Sequence, residues 1–229
     1  MSTIAILPVK SFGAAKQRLA PALGSGSRQA LAQAMFSDVL ASLRRVPGLD
    51  AVVVVTADPV AEAAAVGERV EVLPDSSQSG QSAAATIGIR HAQSLGFDRV
   101  LLVPGDTPLL DPGEVAGLLR RALEERLAAV VVPDRHGEGT NALLLCPPDA
   151  IEPSFGPGSR ERHCAAARAA GVSCSVEQVP TLALDVDTCQ DLDVLTAMLD
   201  GRRGHAPATR GALRQLDRSR ASRRPPVPA

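Results

Sequence analysis

The sequence predicts an α/β fold in which helices cover both faces of a mostly parallel sheet. A length of 229 residues suits one large α/β domain. Hydrophobic residues make up 45% of the chain and charged residues 21%, which provides enough apolar material for a sizeable core. Short β-branched runs alternate with longer segments rich in Ala and Leu, a pattern typical of repeated strand–helix units.

Six apolar runs predict buried strands, and the segments between them predict helices. The strands are expected at 3–9, 51–56, 70–73, 100–104, 128–132 and 141–146. The helices are expected at 28–46, 60–66, 82–94, 112–127, 159–170 and 188–199, with Ser27 and Thr188 as caps. Because ligands of such sheets bind beyond the carboxyl ends of the strands, the loops there are where chemistry is expected.

Composition argues against several classes of protein. No apolar run approaches the roughly 18 residues of a membrane span and the first residues do not resemble a signal peptide, so a cytoplasmic protein is expected. The four cysteines at positions 146, 164, 174 and 189 lack the spacing of a disulfide framework or a zinc site. Aromatic residues make up 2% of the chain, with Trp and Tyr absent, which disfavours nucleic-acid binding.

The C-terminal stretch differs in charge from the rest of the chain. Residues 201–229 carry eight Arg and one Asp, which leaves a net charge of −8 on residues 1–200. The stretch is rich in Arg, Pro and Ala, with a potential short helix near Leu213, so it is predicted to be a disordered tail after a domain at 1–200. A solvated extension is the simpler interpretation, and a weak anchor for polyanions is the alternative.

The loop after the first predicted strand holds an unusual pair of cations. The chain has 24 basic residues, of which 22 are Arg; the remaining two are Lys10 and Lys16, both in this loop. Compact ammonium groups where Arg serves elsewhere indicate contacts to phosphate oxygens, with solvated surface charge as the alternative. Neither G-x-x-x-x-G-K-[ST] nor G-x-G-x-x-G occurs, which argues against a P-loop kinase and a dinucleotide-binding dehydrogenase.

Two further loops carry residues suited to a nucleotide and its metal. Gly80 precedes a helix that starts with small residues such as Ser82, where the backbone can approach an anion or a base edge; a plain helix entry is the alternative. Gly105 and Asp106 lie between two prolines after an apolar strand, which puts one carboxylate on a rigid turn. That carboxylate suits Mg²⁺, and an Asx turn or cap is the alternative.

A pair of carboxylates precedes the last predicted helix of the domain. If the segment is extended, Asp185 and Asp187 face the same side. Two like charges this close are unfavourable unless a cation lies between them, so together with Asp106 they predict a three-carboxylate metal centre. Asp191 is explained as half of a capping box with Thr188.

A second anion pocket is predicted where Gly-Pro-Gly-Ser at 156–159 runs into a helix. The backbone amides and the Ser159 hydroxyl are the expected donors, and a plain N-cap is the alternative role of Ser159. His163 lies one turn into this helix, where it is expected to pack or to contact phosphate rather than to act as a base.

Together these motifs resemble the guanylyltransferases of coenzyme F-420 biosynthesis, which act on 2-phospho-L-lactate or phosphoenolpyruvate. The resemblance implies the three-layer, Rossmann-like nucleotidyltransferase fold of the nucleotide-diphospho-sugar transferases. Ser82 and Thr107 depart from the family pattern, in which Asn and Leu are usual. The resemblance covers residues 3–199 and rests on Pro-Val-Lys at 8–10, Ala-Lys-Gln-Arg-Leu at 15–19, Gly-Asp-Thr-Pro-Leu at 105–109, Gly-Thr-Asn-Ala-Leu at 139–143, Phe-Gly-Pro-Gly-Ser at 155–159 and Leu-Asp-Val-Asp-Thr at 184–188.

The resemblance implies that GMP passes from GTP to a three-carbon phosphoacid, with release of diphosphate. A phosphomonoester is largely ionised at neutral pH, so this nucleophile needs no general base. The residues implied in nucleotide binding are Lys10, Lys16, Arg18, Gly80, Ser82 and Gly105, and those implied in catalysis are Lys10, Lys16, Arg18 and Asp106. The residues implied in acceptor binding are Thr140, Gly156 and Ser159, and those implied in holding Mg²⁺ are Asp106, Asp185 and Asp187.

Other functions fit the same residues less well. A molybdenum-cofactor or sugar-phosphate nucleotidyltransferase would share the fold, but those enzymes usually open with a Gly-rich loop that residues 6–10 lack. A non-catalytic nucleotide-binding module is the alternative from another class. The residues leave the acceptor open among phosphoenolpyruvate, 2-phospholactate and 3-phosphoglycerate. The preference for Arg over Lys suggests a GC-rich genome, and a bacterial member of the family would favour phosphoenolpyruvate. A hand-over of product to the next pathway enzyme is a further expectation, and the oligomeric state stays open.

Overall fold

The structure, a computed structural model, describes residues 1–201 and 204–221. Seven strands form its central sheet: β1 (Thr3–Val9), β2 (Ala51–Thr56), β3 (Glu71–Pro74), β4 (Arg99–Leu102), β5 (Ala129–Pro133), β6 (Thr140–Leu145) and β7 (Cys174–Val176). Seven helices pack around the sheet: α1 (Ser25–Leu43), α2 (Pro59–Gly67), α3 (Gln81–Ser94), α4 (Pro112–Glu124), α5 (Ser159–Ala170), α6 (Cys189–Gly201) and α7 (Pro207–Ala221). None of these described helices has the length and apolar character needed to span a membrane.

The strands follow the order β3-β2-β1-β4-β6-β5-β7. Strand β6 is antiparallel to both of its neighbours, and all other pairs are parallel. The predicted α/β class with a mostly parallel sheet is therefore confirmed. Because β6 runs opposite to β4, its first residues lie at the same edge of the sheet as the carboxyl ends of β1 to β4. Strand β7 escaped prediction because Cys174 and Ser175 are only partly buried, Val176 is exposed, and the three residues form no apolar run.

Helices cover both faces of the sheet because alternate strand residues point to opposite sides. Ala5 and Leu7 of β1 belong to the apolar cluster beneath α1, α2 and α4, whereas Ile4 and Ile6 belong to the cluster beneath α3 and α5. Helix α3 crosses β1 closely, since a Cβ at Gly88 would clash with the Ile6 side chain. The three layers of the predicted fold are thus present.

A third apolar cluster joins α1, α6 and α7 around the segment before α6. Leu184 and Val186 are buried in this cluster, together with Leu195 of α6 and Leu31 of α1. Because successive residues of an extended segment point to opposite sides, burial of Leu184 and Val186 directs Asp185 away from the cluster. The cluster therefore supports one of the predicted metal-binding segments from behind.

The C-terminal region corrects the prediction of a disordered tail. Helix α7 packs on α1, and the buried carboxylate of Asp38 in α1 accepts hydrogen bonds from the backbone N–H groups of Ala208, at 3.1 Å, and Thr209, at 2.7 Å. Ala206 and Thr209 are themselves buried. The start of α7 is therefore fixed by a helix 170 residues earlier in the chain, a contact that composition cannot reveal.

The composition of this region suggested disorder, whereas the described part of α7 has exposed charges on one face and apolar residues on the other. Arg214 and Arg218 are exposed, whereas Leu213 and Leu216 pack against the third apolar cluster. The boundary predicted at residue 200 is thus wrong for 204–221. Residues 202, 203 and 222–229 lie outside the described residues, and the prediction for them stays a prediction.

Candidate active site

A cavity of about 340 Å³ opens at the edge of the sheet where β1, β3 and β4 end. A cavity of this size falls in the range of small-molecule sites. Its walls include six of the predicted site residues, namely Lys10, Lys16, Gly80, Gly105, Asp106 and Asp187. Six other predicted residues are not part of these walls, namely Arg18, Ser82, Thr140, Gly156, Ser159 and Asp185.

The centre of the site is an ion-pair cluster around Lys16. The Nζ atom of Lys16 donates to the carboxylate of Asp106, and it donates to Asp187 Oδ1 at 2.8 Å. The Lys16 side chain is 8% exposed. Burial opposes the charged form of Lys16, but the carboxylates of Asp106 and Asp187 outweigh burial and hold its pKa above the ordinary value. Lys16 is therefore a permanent cation between two carboxylates.

The backbone places this ammonium group. Lys16 adopts a left-handed conformation, with φ 56°, that few residues other than glycine adopt. The short 3₁₀ turn Gln17–Leu19 follows it, and Leu19 is fully buried in the third apolar cluster. A less common backbone conformation, anchored by a buried Leu, thus turns the Lys16 side chain into the cavity.

Asp185 adds a third carboxylate to the cluster. Its Oδ1 accepts a hydrogen bond from the buried Asn141 Nδ2 at 3.2 Å, and the same Nδ2 donates to the carbonyl oxygens of Leu182 and Ala183. Burial, followed by the charge of Asp106, raises the pKa of Asp185 to about 6. Among the described residues, Asp185 thus lies close to other negative charge and forms no ion pair, a situation that a metal ion would relieve.

The donor set fits a hard divalent cation. Asp106 Oδ1 is buried and has no hydrogen-bond partner within the described part of the chain. Carboxylate oxygens are the ligands that Mg²⁺ prefers. In residues 1–201 and 204–221, however, no group of three or more acidic, His or Cys side chains has the geometry to hold a metal ion. The Lys16 ammonium lies between Asp106 and Asp187 instead. The Mg²⁺ site therefore stays a prediction.

Asp191 and Arg135 position the segment that carries Asp187, and sequence analysis assigned them no such role. Asp191 Oδ2 accepts from the backbone N–H of Asp187 at 3.1 Å and of Thr188 at 2.7 Å. Burial opposes ionisation of Asp191, but these hydrogen bonds and the nearby Arg135 lower its pKa overall. Arg135 lies 2.6 Å from Asp191 Oδ1, so the loop before β6 is tied to the last acidic segment. The capping box predicted for Thr188 and Asp191 is present.

Asp75 and Gln81 also line the cavity, and sequence analysis assigned neither a role. Asp75 follows β3 directly and is buried. Its Oδ1 accepts from the Ser77 hydroxyl at 3.2 Å and the Gln78 backbone N–H at 3.0 Å. The rule that chemistry follows the carboxyl ends of strands would have singled out Asp75, just as it singled out Asp106.

Two predicted nucleotide residues lie beside the cavity rather than in its wall. Arg18 is exposed on the 3₁₀ turn after Lys16. The Ser82 hydroxyl accepts a hydrogen bond from the Phe155 backbone N–H at 2.9 Å, so it connects α3 with the predicted acceptor loop. Gly80, just before α3, has φ 105°, which explains the need for glycine at this entry.

The predicted acceptor residues meet around a buried hydroxyl pair. Ser159 Oγ lies 3.1 Å from Thr140 Oγ1, and His163 Nδ1 lies 3.1 Å from the same Thr140 oxygen. Ser159 and His163 are fully buried, and Thr140 is 7% exposed. Gly156 has φ 111°, and Gly158, the cap of α5, has φ 70°. The loop at 156–159 therefore depends on left-handed conformations that glycine allows.

The α/β sheet, the cavity at its carboxyl edge and the cluster of Lys16 with carboxylates agree with the nucleotidyltransferase class that the sequence predicts. A protein of Desulfovibrio desulfuricans, provisionally described as a nucleotide-diphospho-sugar transferase, has the same fold: TM-score 0.73, 21% identity, 95% of this chain and 96% of that one covered. A nucleotidyl transferase of Methanothermobacter thermautotrophicus gives TM-score 0.58 and 19% identity, over 88% and 99% of the two chains.

Residues 3–223 match the family model described as guanylyl transferase CofC like, and the chain belongs to this family. A phosphoenolpyruvate guanylyltransferase of Conexibacter woesei is 52% identical, over 96% of this chain and 98% of that protein. A phosphoenolpyruvate guanylyltransferase of Sphaerobacter thermophilus is 40% identical, over 90% of this chain and 95% of that protein. A 2-phospho-L-lactate guanylyltransferase of Methanothermobacter thermautotrophicus is 36% identical, over 94% of this chain and 92% of that protein. The predicted family is confirmed, and the match extends into α7.

Proposed function

We propose that the protein transfers GMP from GTP to phosphoenolpyruvate and releases diphosphate, a step of coenzyme F-420 biosynthesis. The observation that carries this proposal is the cluster of Lys16, Asp106 and Asp187 in the wall of a cavity of about 340 Å³. A buried cation among carboxylates suits a substrate that brings both negative charge and a metal ion. Relatives named guanylyltransferases support the choice of reaction.

The reaction is a displacement at phosphorus. An oxygen of the acceptor phosphate attacks the α-phosphorus of GTP, and the bond between the α-phosphorus and the bridging oxygen to the β-phosphate breaks. Diphosphate leaves with that electron pair, and the product contains a new diphosphate linkage. The acceptor phosphate is already largely ionised at neutral pH, so the chain has no proton to remove from it.

The chain contributes charge and orientation to this step. Lys10 and Lys16 face the cavity and would neutralise triphosphate oxygens, with Arg18 beside them. Gly80 and Gly105 would allow the backbone to approach the nucleotide. Ser82 would hold α3 in place through its hydrogen bond with the Phe155 backbone. Mg²⁺ would be held by Asp106, Asp185 and Asp187, and when bound it neutralises developing negative charge between the two phosphates.

Asp75 is proposed to select guanine. Strands β3 and β4 are separated by β2 and β1, and neighbouring strands lie about 4.8 Å apart, so Asp75 and Asp106 follow strand ends about 14 Å apart. Phosphates near Asp106 would therefore leave the base near Asp75. Guanine presents N1–H and a 2-amino group, two donors that a carboxylate accepts, whereas adenine presents an acceptor at N1. This chemistry favours GTP over ATP.

The acceptor is proposed to lie near Thr140, Gly156 and Ser159. The start of β6 lies at the cavity edge of the sheet, and Asn141 of β6 is hydrogen-bonded to Asp185. Phosphoenolpyruvate is preferred to 2-phospho-L-lactate because the relatives of highest identity reported above bear that name. A cytoplasmic location and a hand-over of the product to the next enzyme belong to the same proposal.

The test is diphosphate release from GTP and Mg²⁺ with phosphoenolpyruvate, 2-phospho-L-lactate or 3-phosphoglycerate, one acceptor at a time. The product is detected by mass, with the next pathway enzyme coupled in case it is labile. We expect release with phosphoenolpyruvate and none without Mg²⁺. Folded protein that binds GTP but releases nothing with any of the three would point to another acceptor, such as a sugar phosphate, or to a nucleotide-binding module.

A further inference from the structure

His163 lies in α5 next to the proposed acceptor residues and is fully buried. Its Nε2 lies 2.8 Å from the backbone nitrogen of Ser154, and its Nδ1 lies 3.1 Å from Thr140 Oγ1. A backbone N–H can only donate, so Nε2 accepts. In a neutral ring the hydrogen must then be on Nδ1. The Nδ1–H group therefore donates to the Thr140 hydroxyl oxygen.

The ring is held neutral and in one orientation. Burial, followed by the positive charge of Arg162, lowers the pKa of His163 to about 4. The ring packs edge-on against Phe155, with centroids 5.3 Å apart and an interplanar angle of 73°. The tautomer is thus set by the Ser154 N–H, and the ring position by α5 and Phe155.

The direction of the His163 bond decides how many hydrogens the neighbouring hydroxyls can still donate. The hydroxyls of Thr140 and Ser159, 3.1 Å apart, share one hydrogen between them. They own two hydrogens, so with His163 donating one hydrogen remains for an outside acceptor. With the opposite tautomer, Thr140 would donate to His163 and Ser159 to Thr140, leaving none. In residues 1–201 and 204–221, neither hydroxyl makes a further side-chain hydrogen bond.

We propose that His163 is a positioning residue whose Nδ1–H keeps one hydroxyl hydrogen of the Thr140–Ser159 pair available to an anionic oxygen of the acceptor. The inference rests on the proposed function, which places a phosphoacid at Thr140 and Ser159. His163 itself is not proposed to touch the acceptor, because Ser154 and Thr140 already occupy its two ring nitrogens. It also does not act as a base, since the acceptor phosphate needs none.

A matched pair of variants isolates the Nδ1–H donor. His163→Phe keeps an aromatic ring and removes both nitrogens, whereas His163→Asn provides an amide N–H near the position of Nδ1. Both variants lose the acceptor of the Ser154 N–H, so the difference between them reports on the bond to Thr140. We expect His163→Phe to raise the KM for phosphoenolpyruvate at least about tenfold, with kcat and the KM for GTP within about threefold of wild type. His163→Asn should recover most of the loss.

The imidazole ¹⁵N shifts of the wild-type protein test the tautomer without any turnover. We expect His163 to carry its hydrogen on Nδ1, and comparison with either variant assigns its signals among the four histidines. Thermal unfolding of each variant serves as the folding control. If His163→Phe does not fold, the KM of His163→Asn for phosphoenolpyruvate and the ¹⁵N shifts still test the proposed bond from His163 to Thr140.

Three results would overturn the inference. They are a hydrogen on Nε2, a folded His163→Phe protein with the wild-type KM for phosphoenolpyruvate, and a parallel rise of both KM values in both variants. Failure of the proposed function looks different, because wild-type protein would then release no diphosphate with any phosphoacid. In that case the role in acceptor binding falls with it, while the ¹⁵N shifts still report on the bond between His163 and Thr140.

Discussion

The site has two sides of opposite character. The charged side, proposed for the nucleotide, contains Lys16, Asp106, Asp185 and Asp187, and the neutral side, proposed for the acceptor, contains Thr140, Ser159 and His163. On the nucleotide side, charges meet without balancing: Asp106 Oδ1 is buried and unpartnered within the described residues, and Asp185 is held beside other carboxylates with a raised pKa. On the acceptor side, Thr140 and His163 are neutral, buried and hydrogen-bonded to their neighbours. On the first side Lys16 balances the carboxylates only in part. On the second side the hydrogen bonds are set before a ligand arrives and leave one hydroxyl hydrogen for it.

The difference teaches what each ligand requires of the protein. A triphosphate with its metal brings several charges of both signs, and unbalanced side chains can exchange their partners for it. A small acid must be aimed at one phosphorus atom, and a preset network of neutral donors fixes its position with little reorganisation. Variants on the charged side should therefore affect turnover most, and those on the neutral side should affect affinity and stability.

The largest effect on turnover is expected from Asp187→Asn, which removes one carboxylate from the charged side. The change keeps the shape of the side chain but removes one negative charge from the proposed Mg²⁺ site. We expect kcat to fall about 100-fold or more with an unchanged unfolding temperature, because the charge acts at the transition state. Steady-state diphosphate release measures it. Asp193→Asn, at an exposed position of α6, is the matched control. Near-normal turnover of Asp187→Asn at saturating Mg²⁺ would remove Asp187 from the metal site.

Deleting residues 202–229 tests whether the charged side depends on support from α7. Sequence analysis implied no loss, since it treated this stretch as a disordered tail. The structure reverses that expectation, because Leu213 and Leu216 of α7 pack in the same cluster as Leu184 and Val186 beside Asp185. Lost burial of about 3 kcal/mol should lower Tm by about 6–12 °C, and we expect turnover to be lost with the support of this segment.

Removal of residues 222–229 alone is the control for this truncation, and it should leave α7 and turnover in place. A protein ending at residue 201 that keeps wild-type Tm and kcat would show that the charged side stands without α7.

A smaller effect, on selectivity, is expected at the far end of the cavity. Asp75→Asn replaces an acceptor of two hydrogen bonds by a side chain that also donates. We expect kcat/KM for GTP to fall about tenfold while that for ATP changes little, because a charged hydrogen bond to guanine is lost. Ser77→Ala removes only a partner of the turn at Asp75 and is the control. A parallel loss with GTP and ATP in both variants would mean that Asp75 only shapes the turn.

Much of the fold could be predicted because the strands are continuous apolar runs. Strands β1 and β2 begin and end at the predicted residues, since Thr3–Val9 and Ala51–Thr56 are bounded by polar residues and turns. A short helix near Leu213 was expected, but the packing of α7 on α1 and the whole of strand β7 were missed, because both depend on contacts distant in sequence. The hydrogen bonds from α7 to Asp38 are the clearest case.

The site residues likewise divide into those that the sequence predicts and those that only the structure reveals. The approach of Asp106 to Asp187 could be expected because close carboxylates need a shared cation, and the structure brings both to Lys16. The roles of Asn141, Arg135 and His163 could not, because each acts through a partner that only the folded chain supplies. Such residues carry no local pattern, and their types alone are equally consistent with an ordinary surface or core position.

The last effect, on the pH dependence of stability rather than on turnover, concerns the neutral side and sharpens its contrast with the charged side. Folded His163 has a pKa of about 4, below the ordinary value of 6.5. Between these pH values the unfolded chain binds a proton that the folded protein does not, so stability is complete above about pH 6.5 and falls as the pH is lowered towards 4. The slope is at most about 1.4 kcal/mol per pH unit, or about 3 kcal/mol in total.

Urea unfolding from pH 4.5 to 7 measures this slope. We expect the free energy of unfolding to depend less on pH in His163→Phe than in wild type, because the variant has no imidazole to protonate on unfolding. His136→Phe, at an exposed position, is the control and should keep the wild-type slope. Equal slopes in wild type and His163→Phe would mean that the imidazole is protonated as readily in the folded protein as in the unfolded chain. The hydrogen bond from Ser154 to Nε2 would then be absent, and the acceptor side would be as adjustable as the charged side.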